Sequence, residues 1–201
     1  MTTTATIAAL FVQTGGCYFG LPNVDPWDEP RDARLYAGPW PVVAHPPCAR
    51  WCQLAHINQK RWGATIGDDG GCFGAALAAV RRFGGVLEHP AWSLAWPAFG
   101  LQEPSSRGWL RCIDGAWVCE VSQAAYGHQA RKLTWLYYVG DAAPAPLSWA
   151  RPAPTAVVSN CANRGNSPLQ RLTGKASSAS PPAFRDILLS IAASARQRIA
   201  V

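Results

Sequence analysis

The sequence predicts a single α/β domain built on a sheet of Rossmann type. Three observations carry that expectation. Short apolar runs alternate with helical periodicity through the middle of the chain. Glycine or proline stops each run, and further strand-like runs gather toward the end. Polar, chemistry-bearing residues sit just past several runs, where open α/β sheets keep their sites.

Taken in order, Thr6–Val12 is an apolar run suited to a first strand, and the turn Thr14-Gly15-Gly16-Cys17 follows it. Glycines there let the backbone approach a ligand closely. Residues 21–39 are polar and proline-rich, with acids at Asp25, Asp28, Glu29 and Asp32 and room for one short helix over 31–37. Val42 and Val43 favour a strand over Pro41–Ala44, and Pro46-Pro47 cannot continue its ladder. The turn His45-Pro46-Pro47-Cys48 therefore delivers a thiol to the carboxyl edge of the sheet. A helix is expected over Ala49–Trp62 and a loop over 63–72. Phe73, Ala76, Leu77 and Val80 recur at i, i+3, i+4 and i+7, an amphipathic helix closed by Gly84-Gly85.

Val86-Leu87-Glu88-His89-Pro90 repeats the earlier logic: an apolar strand, a polar residue at its end, a proline stop. Residues 91–111 are tryptophan-rich loop. Trp117–Ser122 alternates as a strand does, 124–132 is a polar loop, and Leu133–Val139 is the strongest strand of the chain. Residues 141–182 form a loop-rich extension, and 183–199 a closing helix with Ile187, Leu188 and Ile191 on one face. No internal repeat is present, so 1–201 is taken as one domain.

Composition narrows the class. A 201-residue chain with 49% hydrophobic and 15% charged residues can bury a real core, which excludes a disordered segment. A net charge of +6 permits an anionic partner such as nucleic acid without establishing one. Residues 1–13 lack the basic start of a signal peptide, and no run has the length of a membrane span. The seven cysteines are then most simply reduced thiols, and a cytoplasmic location is expected.

Cys48 has three readings: nucleophile, metal ligand, or small buried apolar group. His45, Cys48, Cys52 and His56 form H-x2-C-x3-C-x3-H, but structural zinc favours a tight C-x2-C knuckle, and no metal is expected. A zinc deaminase would place H-x-E ahead of P-C-x2-C, an order this chain lacks. Glu88 is the partner candidate, because an acid ending an apolar strand is unusual. His128 reads as a turn residue or a substrate-orienting one. Trp51, Trp92, Trp96 and Trp135 read as core or loop plugs. Arg81, Arg82, Arg107, Arg111 and Arg131 could track a phosphate backbone, though nothing in the sequence puts them on one face.

Four strand-end positions in order resemble the cytosine-C5 DNA methyltransferases. Pro46-Pro47-Cys48 matches the family's Pro-Cys turn, and Glu88-His89-Pro90 stands where its Glu-Asn-Val run stands. Tyr126-Gly127-His128-Gln129-Ala130-Arg131 is similar to its Gln-x-Arg-x-Arg segment, with Leu133 in place of the second arginine. Ser180-Pro181-Pro182 resembles its last motif. The likeness is closer still to short phage-associated methyltransferase-like proteins, through His45–Cys48, Glu88–Pro90, Tyr126–His128 and Trp135-Leu136.

The resemblance implies a Rossmann-like methyltransferase sheet with a shortened cofactor half and no sizeable target-recognition domain. It implies a catalytic set of Cys48, Glu88 and Arg131, with Pro47, Gln129 and His128 positioning substrate. Gly15, Gly16, Asn23, Asp25 and Trp27 would hold S-adenosylmethionine, Asn23 falling where a ribose-binding acid is expected. The partner would be DNA, in a bacterial host cell and phage- or prophage-encoded. Cys48 would add to C6 of a pyrimidine so that C5 can attack an electrophilic methyl group. Two other outcomes stay open: C5 modification with another electrophile or on free nucleotides, and a degenerate fold that binds DNA or a partner without catalysis.

Overall fold

The computed structural model describes residues 6–105, 108–158 and 168–195. It is a mixed α/β fold on a seven-stranded sheet. The strands are β1 (Ile7–Leu10), β2 (Val24–Trp27), β3 (Val42–Ala44), β4 (Gly85–Pro90), β5 (Leu110–Arg111), β6 (Trp117–Ser122) and β7 (Leu133–Val139). Their spatial order is β2-β1-β3-β4-β7-β6-β5. The first four are parallel, β7 runs antiparallel to β4, β6 to β7, and β5 to β6. The chain leaves β1 for β2 on one side and returns to β3 on the other. That reversal is the topological switch point, where such sheets leave a crevice at their carboxyl ends.

Alternate side chains build two apolar layers, as a strand's two-residue period requires. Ala8, Leu10, Val42, Ala44, Leu87 and Tyr137 face one way and pack with α2 (Cys72–Phe83) through Phe73, Leu77 and Val80. Ile7, Ala9, Val43, Val86, Leu136 and Tyr138 face the other way and meet α5 (Pro182–Ser194) through Phe184, Leu188 and Ile191. Asp69 starts α2 by accepting from the Gly71 and Phe73 amides at 3.0 and 2.8 Å. Gly84 ends it, and Gly85 (φ 114°) lies so close to β3 that a Cβ would run into the Val42 carbonyl.

Several expectations need correction. Residues 49–54 are turns, and α1 runs only over Ala55–Trp62 among the fourteen expected positions of 49–62. Trp51 is buried, and its carbonyl accepts from the Leu94 amide at 2.8 Å, which takes it out of any helical ladder. The polar stretch 21–39 holds β2, an edge strand where Pro26 is tolerated because its free side needs no donor. β1 and β2 are joined by residues 11–23 with no helix between them. A four-residue helix, α3 (Ala95–Ala98), lies in the tryptophan-rich stretch. The 141–182 extension is more ordered than expected: β8 (Ala156–Val158) pairs in parallel with β9 (Gln170–Leu172), and α4 spans Gly174–Ser178. Of the expected closing helix, 196–199 fall outside the described residues. Among the described residues no helix is long and apolar enough to cross a membrane.

Candidate functional site

Five connections meet at the carboxyl edge: 11–23 after β1, 28 onward after β2, 45–54 after β3, 91 onward after β4, and 123–132 between β6 and β7. Among the described residues, Phe11, Trp92 and Lys132, three of the five non-glycine residues with positive φ, lie at this edge within two residues of a strand. Such strain costs about 1–3 kcal/mol each and gathers at functional sites.

At the centre is a hydrogen-bonded chain. Tyr18 Oη is 2.8 Å from His45 Nε2, and His45 Nδ1 is 2.9 Å from Glu88 Oε2. Burial first, then the nearby Cys17 and Glu88, pushes the Tyr18 hydroxyl well above its usual range, so it stays protonated. A carboxylate only accepts, so His45 donates Nδ1–H to Glu88, and the state of its ring sets whether Nε2 accepts from Tyr18 or donates to it. The other oxygen of Glu88 accepts from Gln123 Nε2 at 3.2 Å, and the same nitrogen donates to Thr134 Oγ1 at 2.9 Å. Burial alone would raise the Glu88 pKa. The His45 hydrogen bond and charge, then Lys132, outweigh it and hold the group below its ordinary value. Glu88 is thus a carboxylate: an acceptor, with both oxygens already engaged.

Cys48 follows the buried Pro46 and the exposed Pro47. Its carbonyl accepts from the Trp51 and Cys52 amides at 3.0 and 2.8 Å, fixing the turn. Burial, then Glu88 and Cys52, pushes its thiol up to about 11, with Lys132 pulling the other way. Four residues at this edge were not singled out in the sequence: Tyr18, Gln123, Thr134 and Lys132. Their partners lie far along the chain, so no spacing signals them.

The remaining candidates spread out. Arg131 has an exposed side chain, and its carbonyl accepts from Ser122 Oγ at 2.8 Å. The cation whose charge bears on Cys48 and Glu88 is its neighbour Lys132. Gln129 is exposed, and its carbonyl holds the Thr155 and Ala156 amides. His128 is buried in a self-closed turn, with Nδ1 2.9 Å from the Ala130 carbonyl and 3.0 Å from its amide. One tautomer donates to the first; the other accepts from the second. His56 lies on exposed α1, and among the described residues no group of three or more His, Cys, Asp or Glu could hold a metal. A shallow cleft lined by His56, Ile57, Lys60 and Arg61 shares no residue with the central chain.

The residues expected to hold S-adenosylmethionine are brought together only in part. Gly15 (φ 66°) and Gly16 do form the turn after β1, with the Gly16 amide closing on the Gln13 carbonyl at 2.8 Å. Asn23 precedes β2 and so lies at the amino edge, opposite the crevice. Asp25 is occupied by Trp27 Nε1 at 2.8 Å and Arg31 at 2.6 Å. The acid at the carboxyl end of β2 is Asp28, which is only 6% exposed and accepts from Thr14 Oγ1 and the Arg31 amide. Each of these carboxylates already has partners within the chain.

Fold and site together define an α/β protein with a thiol, a part-buried carboxylate and a lysine at the edge of a mixed sheet where its parallel strands end. Comparison with protein-family models, with curated proteins and with solved structures finds no match to this chain.

Proposed function

We propose that the protein modifies pyrimidines at C5, with Cys48 adding to C6 and DNA as the substrate class. The observation that supports this best is that Cys48 lies just past β3 while Glu88, hydrogen-bonded to His45, lies at the same end of the neighbouring parallel strand β4. C5 of a pyrimidine is a poor nucleophile. A thiolate added at C6 converts the ring to a carbanion that can attack at C5, and loss of the C5 proton then expels the thiolate. Glu88, held ionised chiefly by His45, accepts a hydrogen bond from a ring or exocyclic N–H and fixes the base beside Cys48.

The resemblance makes methyl transfer from S-adenosylmethionine the leading reaction. A different electrophile at C5, or action on free nucleotides, is the second reading, favoured by Asn23, which lies at the amino edge of β2 and away from the crevice. Mass spectrometry of nucleosides from DNA and from the nucleotide pool of cells expressing wild type or Cys48→Ala decides between them. A new pyrimidine mass of plus one methyl in wild type alone supports methyl transfer, and any other new mass supports the second reading. Identical nucleoside profiles, with protein that binds DNA normally, would leave a non-catalytic binding protein as the function.

A further inference from the structure

Residues 45–71 leave the sheet after β3, and α2 then carries the chain back to the start of the parallel strand β4, so the excursion stands at the carboxyl edge. Its two ends are tied together. The Gly67 amide donates to the Arg50 carbonyl at 3.0 Å, and Trp51 Nε1 donates to Asp69 Oδ2 at 2.8 Å. α1 is what lies between the ties, and it begins seven residues after Cys48. Ala55 is its only buried residue, and Trp62 at its far end is 78% exposed. Core burial does not account for this helix.

The stretch 49–67 carries Arg50, Lys60 and Arg61 and no acid. None of these three side chains makes an ion pair among the described residues, whereas Arg31, Arg34, Arg81 and Arg151 each meet a carboxylate. Lys60 and Arg61 stand four residues on from His56 and Ile57 and line one shallow cleft with them, so the two cations share a face of α1. Two unanswered cations beside an exposed indole suit a nucleic-acid strand. Phosphates answer the charges, and a base answers the ring. The position suits it too, because the same excursion begins at the turn that carries Cys48.

We propose that α1 is the surface along which the DNA strand runs beyond the base held at Cys48, with Lys60 and Arg61 on its phosphates and Trp62 stacked on a flanking base. This rests on the reading of DNA as the substrate and adds where the strand lies. Each phosphate that a cation neutralises releases counter-ions, so the contacts register in the salt dependence of binding.

The test is fluorescence anisotropy of a labelled pyrimidine-rich single strand with the full chain, repeated over a series of salt concentrations. Lys60→Ala/Arg61→Ala lowers affinity about tenfold or more near 0.1 M salt, and flattens the slope of log affinity against log salt by about 1.4, or about 0.7 for each phosphate. Trp62→Ala weakens binding about fivefold to a hundredfold and leaves the slope unchanged. All three side chains are exposed, so the variants keep the fold. Arg82→Ala/Arg111→Ala removes the same charge from exposed residues on α2 and β5, and keeps the wild-type slope. Wild-type affinity and slope in the α1 pair would overturn the proposal. An equal loss in the two pairs would do the same, as the effect of bulk charge alone. So would a Trp62→Ala variant that binds as wild type does. In each of those cases wild type still binds the strand, and DNA as the substrate class stands. A wild type that binds no strand removes that reading and this one together.

Discussion

His45 Nδ1 lies 2.9 Å from Glu88 Oε2, so the residue just past β3 supports the ionised form of the acid near the end of β4. The two strands are parallel neighbours, and this pair ties their carboxyl ends together. Glu88 has a folded pKa below its ordinary value. Its stabilising contribution is therefore full above the unfolded value near 4.5 and is lost as pH falls through the folded value.

His45→Ala removes the donor and leaves the carboxylate half-satisfied. A hydrogen bond to a buried charge is worth roughly 1.5–3 kcal/mol, and stability at pH 7 should fall by about that amount. The acid limb of the stability curve should also move to higher pH, since Glu88 then protonates more readily. Urea unfolding across pH 3–7 measures both effects. A variant with the wild-type curve would mean that the pair contributes nothing.

His89 gives a second pH signature, of different origin. It is fully buried, packed edge-on to Phe73 and roughly parallel to Trp96, and neither ring nitrogen makes a hydrogen bond of ordinary geometry. Burial pushes its pKa down to about 4, against smaller upward pulls from Glu88 and the Pro47 carbonyl. The native ring is therefore neutral, while the unfolded chain takes up a proton below about 6.5. Stability falls as pH drops through that window, by about 1.4 kcal/mol per unit and about 3 kcal/mol in all. His89→Phe keeps the ring contacts and removes both bare nitrogens. Its stability should therefore depend less on pH between 4.5 and 6.5. Equal slopes in the two proteins would show that His89 is not buried neutral.

What the sequence could reveal follows the range of the forces involved. α2 was legible because Phe73, Ala76, Leu77 and Val80 carry a helical period that burial rewards, and Gly84-Gly85 is a local stop. β7 was legible from seven consecutive residues that fit a pleated, buried strand. β2 was hidden because Val24-Asp25-Pro26-Trp27 has no strand pattern of its own, and β1 supplies its pairing. The missing first half of the helix at 49–62 is also a long-range effect, since Leu94 takes the Trp51 carbonyl. The site divides in the same way. Cys48 and Glu88 stand out at strand ends, whereas Tyr18 and Lys132 take their roles from partners that only the folded sheet brings near.

Trp92 is the residue whose structure departs most from its expected role as a plug. It lies two residues past β4, is 48% exposed, and has φ 59°. Its ring leans on buried Trp135 with centroids 6.3 Å apart, which gives it a rigid floor. A bulky residue in the left-handed region costs about 1–2 kcal/mol, a cost that half-burial of a loop side chain does not explain. On the proposed function this exposed ring is a platform for a nucleobase, and each such stack is worth about 1–3 kcal/mol. Trp92→Ala and Trp92→Gly should both weaken binding of a labelled pyrimidine-rich single strand by about fivefold to a hundredfold. The salt dependence should stay unchanged, since no charge is lost. Glycine accepts the positive φ and alanine does not, so Trp92→Gly should be the more stable of the two by about 1 kcal/mol. Fluorescence anisotropy and thermal melting read the two effects separately. Tight binding by wild type and both variants alike would return Trp92 to the role of a plug, whereas weak binding by all three would count against a nucleic-acid substrate.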